Sequence, residues 1–264
     1  MKRWFVWVML MVLAVMCCAC SSSPKSPDTA TNSSGKGESS GSASDIIGSV
    51  VSFGRYEQDG NTGNGQEAIE WIILDVQDGK ALLLSRYALD AMPYNTSETA
   101  VTWESCSLRS WLNNEFLNAA FNDREKAGIQ MTHVDNGDTQ RVTEWNSVGG
   151  NDTQDRVFLL SNAEVTSYIW VRYDGNRGAI AYPTAYARQR GAWIDLDRTD
   201  WWIRSPGRNQ ANAAFVCYDG TLSDATVDCN EICIRPAIRV SLNDVVSVPE
   251  TRPTDSDEEE IDFG

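Results

Sequence analysis

The sequence predicts an α+β domain built on a mostly antiparallel sheet. Three observations predict it. Apolar runs of strand length come in pairs around Asp-Gly turns, as in IEWIILDVQ-DG-KALLLS and AAFVCY-DG-TLSD. Helical spacing of apolar residues is confined to the middle of the chain. After Trp201 the pattern returns to short strand-like runs. Strands, then helices, then strands in one chain fit a layered α+β domain better than alternating βαβ units. The chain has 264 residues and ten Trp, enough for one good-sized domain or two small ones. One domain is assigned, at residues 45–248.

Taken in order, VVSFGRYEQ opens the domain as a strand, and DGNTGNGQE follows as a Gly/Asn loop. IEWIILDVQ and KALLLSRYAL then form a β-hairpin around Asp78-Gly79. Within TWESCSLRSWLNNEFLNAAF, residues Leu108, Trp111, Leu112, Phe116, Leu117 and Phe121 recur at helical spacing, which predicts an amphipathic helix. Asn122 with Glu125 forms a capping box and predicts a second, short helix. VFLLS (157–161) reads as a short buried strand. Ser161 with Glu164 forms another capping box, opening a helix toward Trp170. Pro183-Thr184 starts a further helix that ends at Gly191. WWIRSP is a strand, the second Asp-Gly hairpin follows, and ICIRPAIRV is the last strand. Pro236 has no N–H to donate, so that strand is an edge or is broken there.

Outside the domain the sequence reads differently. Lys2 and Arg3 precede 13 uncharged, mostly apolar residues at 4–16. That run is too short to span a bilayer comfortably and fits the apolar core of a signal peptide. It ends in Cys17, Cys18, Ala19 and Cys20 before a run of serines, which resembles a bacterial lipoprotein signal. Residues 1–19 are the expected leader and Cys20 the expected lipidation site. Cys17 and Cys18 are poorer choices because Met or Cys would precede the cut. A plain secreted protein or a signal anchor is the other reading. Residues 20–44 form a Ser/Gly-rich tether with no apolar side chain larger than Ala after the cysteine, which cannot build a core. Gly37-Glu38-Ser39-Ser40-Gly41 matches the G-x-S-x-G hydrolase pattern, but no strand precedes it and no helix follows, so it is a chance match. Residues 249–264 are an acidic tail.

The net charge is −15, and −17 once Lys2 and Arg3 are removed with the leader. A field of that sign excludes nucleic acid and anionic lipid as partners held by net charge. Membrane attachment would come from the lipid anchor alone, and the location is the bacterial cell envelope. The domain keeps Cys106, Cys217, Cys229 and Cys233. Outside the cytoplasm these either pair or remain small, half-buried thiols, and the sequence leaves both open.

Catalytic signals are thin. His133 is the one histidine, so a two-histidine zinc site is unavailable and a Ser-His-Asp triad would lack a nucleophile elbow. No P-loop pattern is present. Asp195, Asp197 and Asp200 offer oxygen ligands of the type calcium prefers, but no known calcium-loop motif accompanies them. No metal, cofactor or catalytic residue is assigned.

The segments FGRYEQ, IEWIILDV, ALLLSRYALD, TWESCSLRSWLNNEFLNAAF, VFLLS, PTAYA, WWIRSPG, YDG and IRPAIRV resemble a bacterial extracellular family, the domain of unknown function 6273. The closing motifs also resemble the C-type-lectin-like fold, which includes formylglycine-generating enzymes and the variable proteins of diversity-generating retroelements. The resemblance implies that the late loops carry the binding surface. It also implies a rival reading, a formylglycine-generating-type oxidase, for which Cys229 and Cys233 would be the cysteine pair. A third reading, independent of the resemblance, is a passive structural module of the envelope.

The binding surface is therefore expected in the loops of residues 207–233, with an extracellular glycan or protein as ligand. Trp201 and Trp202 are neighbours on one strand and face opposite sides. One fills the core and Trp202 lines a surface, or both are core residues in two layers. Arg204 and Arg235 are expected to hold the ends of the loop system as buried or half-buried ion pairs. The expected ligand contacts are Trp202, Arg208, Asn209, Asn212, Tyr218, Thr221, Ser223, Asp224, Asp228 and Asn230. Short polar side chains with an occasional Tyr on a fixed frame resemble the chemistry of antibody paratopes. The competing reading is a merely solvated hairpin face. Arg208, Asn209, Cys217, Tyr218, Ser223, Asp224, Cys229 and Asn230 are all reachable from AAC or AAT codons mutated at adenine, as retroelement diversification would produce. Gln210 and Glu231 are not.

Overall fold

The computed structural model describes residues 46–172 and 175–247. The expected leader, the tether with Cys20, and the acidic tail lie outside the described residues. Fifteen strands are present among the described residues: β1 (Val50–Tyr56), β2 (Glu67–Gln77), β3 (Lys80–Ser85), β4 (Asp90–Ala91), β5 (Thr132–Val134), β6 (Thr153–Asp155), β7 (Val157–Phe158), β8 (Ile194–Asp195), β9 (Arg198–Thr199), β10 (Trp201–Pro206), β11 (Asn212–Val216), β12 (Leu222–Thr226), β13 (Cys233–Ile234), β14 (Ala237–Ser241) and β15 (Val246–Ser247). They form a six-stranded sheet in the order β15-β1-β2-β3-β14-β7 and a five-stranded sheet in the order β12-β11-β10-β13-β4. Two small hairpins, β5-β6 and β8-β9, complete the set. The β10–β13 pair is parallel, and the other pairings are antiparallel. The α+β class with mostly antiparallel sheets is thus observed.

Both Asp-Gly hairpins are present. Gln77 pairs with Lys80, leaving Asp78 (φ 51°) and Gly79 (φ 72°) as a two-residue turn. Both residues need the left-handed region, which Asp tolerates and Gly adopts freely. In the second hairpin Gly220 has φ 84°, and a Cβ there would stand 1.9 Å from the Asn176 carbonyl oxygen. Only glycine fits so close an approach.

The predicted amphipathic helix begins at Ser107, just before Leu108, and ends before Phe121, whose backbone is extended. Cys106 is its N-cap, with its sulfur accepting from the Arg109 N–H. It runs as α-helix over Ser107–Trp111, as π-helix over Leu112–Phe116, and as α-helix again over Leu117–Ala120. The wider π turn keeps Leu112, Phe116 and Leu117 all buried. Both predicted capping boxes are formed, Asn122 with Glu125 and Ser161 with Glu164. The second opens a short α-helical turn that continues as π-helix over Val165–Trp170. Thr184 caps the Ala185–Gln189 helix, as Pro183-Thr184 suggested. The strand expected over 157–161 is shorter, since only Val157–Phe158 pair.

The last apolar run is broken at Pro236, and the break has a purpose. Cys233–Ile234 belong to the five-stranded sheet and Ala237–Ser241 to the six-stranded one. Arg235 and Pro236 carry the chain from one sheet to the other, and the Pro236 carbonyl accepts from the Ser85 N–H at 2.9 Å. Four tryptophans are fully buried, Trp71, Trp103, Trp201 and Trp202. Each indole N–H is satisfied, donating to Phe53 O (2.7 Å), Asp155 Oδ2 (3.0 Å), Ala179 O (2.9 Å) and Met92 O (3.0 Å) respectively. Buried tryptophans bring large apolar area to a core, and their one polar atom must find a partner there.

Candidate ligand-binding surface

The frame around residues 207–233 is rigid. Every residue of β10 is buried. The expectation that Trp202 lines a ligand surface is corrected. Its side chain is wholly inside, edge-on to Tyr94 at 5.7 Å and to Phe215 at 6.1 Å. Trp201 is equally buried on the opposite face of the strand, so the two fill two layers of core.

Arg204 forms the buried ion pair expected of it, with Glu164, the same carboxylate that caps Ser161. It also donates to Asn136 Oδ1 (3.1 Å), Leu159 O (2.8 Å) and Asp135 O (3.0 Å). Arg235 departs from expectation. Among the described residues no carboxylate pairs with it. It donates to Ser85 O at 2.8 Å and lays its guanidinium over the Trp201 ring at 5.1 Å. Burial without a counter-charge lowers its pKa to about 10.

The hairpin β11-β12 carries the expected contact residues, and they separate into two kinds. Asp224 is one of the internal kind: its side chain is 2% exposed. It accepts from the Arg208 N–H (2.9 Å) and from Asn212 Nδ2 (2.8 Å), and pairs with the Arg208 guanidinium. Arg208 also lies 4.9 Å over the Trp145 ring. Asn209 accepts from the Ala211 N–H at 2.9 Å. The Asp224 carboxylate is thus buried and spent on clamping the hairpin, which corrects its assignment as a ligand contact, while half-buried Asn212 gives its Nδ2 to the same clamp. Thr221, Asp228 and Asn230 are exposed, and Ser223 is half-buried on edge strand β12.

Tyr218 is brought against a residue the sequence reading missed. Trp193 is 41% exposed, and its ring meets that of Tyr218 edge-on, with centroids 5.3 Å apart. Both rings stand on stitched backbone. The Trp193 N–H donates to Glu231 O at 2.8 Å, and its carbonyl accepts from Thr199 Oγ1 at 2.7 Å. The Tyr218 N–H donates to Asp200 Oδ1 at 2.8 Å. Burial pushes the Asp200 carboxyl up to about 6, the Tyr218 N–H pulls it down, and the Asp219 charge raises it further. The signal that could have located Trp193 is the short Ile-Asp-Leu-Asp-Arg-Thr hairpin after it. Leu196 (φ 46°) and Asp197 (φ 67°) form its turn, and Leu196 is 79% exposed. A Trp beside such a tip has little to pack under.

The remaining candidates are accounted for. The four cysteines of the domain are free thiols. Cys233 is buried 3.2 Å from Thr199 Oγ1, and burial pushes its thiol up to about 12. His133 is a surface residue, 3.3 Å from Asp152. Asp195, Asp197 and Asp200 do not converge: Asp197 faces Arg188 at 3.6 Å, and Asp200 holds Tyr218. Among the described residues the acidic group at ligand-like spacing is Glu57, Asp59 and Glu67, within 4.8 Å of one another. Backbone and amide donors already occupy these carboxylates: Gly60 N on Glu57, Gln58 N on Glu67, Asn61 N and Asn64 Nδ2 on Asp59.

Compared with known proteins, residues 78–242 match the model of a family described as a domain of unknown function, DUF6273. No curated protein and no solved structure matches the chain.

Proposed function

The chain belongs to the DUF6273 family, and on that premise we propose that it is a surface lipoprotein whose domain binds an extracellular glycan on the Trp193–Tyr218 pair. The observation that carries the reading is exposed Trp193 set against half-buried Tyr218, held on hydrogen-bonded backbone in a domain whose other late tryptophans are buried. An aromatic face held open to water is suited to the C–H face of a sugar ring. Thr221, Asp228, Asn230 and Glu231 are exposed on the neighbouring loops and supply hydrogen-bonding groups for hydroxyls. Asp224, Asn212 and Trp202 act beneath them as frame.

The C-type-lectin-like assignment belongs to the same proposal. Two features support it: the first and last strands pair, Val51 with Ser247, and the late segment emerges as long loops between short strands. Lipidation at Cys20 would keep the domain at the envelope, with residues 20–44 as tether. Against an oxidase of the formylglycine-generating type stands the chemistry of Cys233. A buried thiol raised to about 12 is the reverse of the activated thiolate such a reaction uses.

The test is a screen of the full chain against an array of neutral and acidic glycans, followed by titration of the tightest ligand. Trp193→Ala and Tyr218→Ala are each expected to weaken binding about tenfold, the size of a lost aromatic stacking contact. Unchanged affinity in both variants overturns the assignment of this surface.

A further inference from the structure

We propose that a second site, the cleft between the 107–120 helical run and β6, binds a small uronic acid whose carboxylate pairs with Arg156. The cleft has a volume of about 370 Å³ and is lined by Arg109, Asn114, Leu117, Met131, Gln154 and Arg156, among others. That volume lies within the range of small-molecule sites, about 300–1,000 Å³. The inference does not depend on the Trp193–Tyr218 reading, because it rests on different residues.

The two arginines are not equivalent. Arg109 donates to Asp155 Oδ1 at 2.7 Å and to Glu104 O at 3.0 Å. Asp155 is 1% exposed and is satisfied on its other oxygen by Trp103 and Thr153. This pair is electrically closed and serves the fold. Arg156 is open. Its Nε is buried and has no hydrogen-bond partner, and among the described residues its guanidinium pairs with no carboxylate. Its backbone is nonetheless fixed, since Asn113 Oδ1 accepts from the N–H groups of Arg156 (2.9 Å) and Val157 (3.2 Å). Arg156 lines the cleft on a fixed backbone, and its guanidinium is free of any carboxylate among the described residues, so a planar anion in the cleft can pair with it. In a chain of net charge −15, an unneutralised cation in a cleft reverses the local field over the roughly 8–10 Å that matter at physiological salt.

The rest of the lining narrows the anion. Asn114 Nδ2 is used by Ser110 O, and Gln154 Nε2 meets His133 Nδ1 at 3.2 Å. Their carbonyl oxygens remain as acceptors for hydroxyl groups. Leu117 and the 58% exposed Met131 give the cleft an apolar side. One carboxylate, several hydroxyls and one C–H face describe a uronic acid.

The test is titration of the full chain, labelled at its methionine methyl groups, with glucuronate, glucose and acetate, reading the Met131 methyl resonance. The expected result is a saturable shift with glucuronate and affinities at least about tenfold weaker for glucose and for acetate. Arg156→Gln should weaken glucuronate by about tenfold or more, and Arg156→Lys should restore part of the loss. Its side chain makes no hydrogen bond or ion pair among the described residues, and thermal melts of both variants check that the fold is kept. Trp193→Ala should leave the Met131 titration unchanged. Absence of saturation by glucuronate overturns the proposal. So does acetate binding as tightly as glucuronate, or an affinity indifferent to Arg156→Gln.

Discussion

Trp202 and Trp193 lie nine residues apart in the sequence and meet opposite fates. Trp202 stands in the middle of a five-stranded sheet, enclosed by Tyr94 and Phe215, with its N–H bonded to Met92. Trp193 stands at the foot of a two-stranded hairpin with one ring, Tyr218, against it. Residue type is the same in both. What differs is how many strands flank the position, and therefore how much surface arrives from outside to cover it. In this domain the central strand encloses its tryptophans, and the β8-β9 hairpin leaves Trp193 exposed.

That contrast can be broken by substitution. The largest effect is expected from Trp202→Ala, which should destabilise the domain by about 3–5 kcal/mol, as removal of a large aromatic from a closed core does. Chemical denaturation measures it, and a loss under about 1 kcal/mol would mean the site is not core. A loss of similar order, about 3–5 kcal/mol, is expected for Arg204→Ala, because Glu164 would be left without its buried counter-charge. By contrast Arg208→Ala should cost about 1 kcal/mol, since that side chain is 62% exposed and Asp224 keeps two other donors.

Asp200 sharpens the comparison, because it ties the marginal region to the frame. Its carboxyl titrates at about 6 in the folded domain, against an ordinary value of 3.8. The folded state therefore holds the proton more tightly than the unfolded state between those values. Stability should fall as pH rises from about 4 to about 6 and level off above. Asp200→Asn keeps an oxygen for the Tyr218 N–H and should flatten that slope in thermal melts. An unchanged slope would assign it to another group. The smallest effect on stability is expected from Trp193→Ala, within about 0.5 kcal/mol by denaturation, even as glycan binding weakens about tenfold.

The same contrast explains what could be read beforehand. Hairpins at Asp78-Gly79 and Asp219-Gly220, both capping boxes and the break at Pro236 are encoded in neighbouring residues, and they formed where the sequence placed them. Burial is encoded by strands distant in sequence. Whether Trp202 faces ligand or core depends on Tyr94, over a hundred residues earlier, and no local pattern states that. Asp224 looked like a free loop carboxylate until the hairpin register set it opposite Ala214, within reach of Asn212 and Arg208. Arg235 was expected to find an acid and found a tryptophan face instead. The site was legible as a region and not as a residue set, because exposure is a property of the assembled sheets.

The pairing of β1 with β15 carries a mechanical consequence. Val51 lies opposite Ser247 and Ser52 opposite Val246, so the two described ends of the domain sit side by side and run in opposite directions. Force applied between those ends would open the pair like a zipper, loading its hydrogen bonds one after another, and it would yield at low tension. Force applied along the length of β1 against β2 takes another route, because the bonds from Val50–Ile72 to Tyr56–Glu67 are then loaded together rather than in turn.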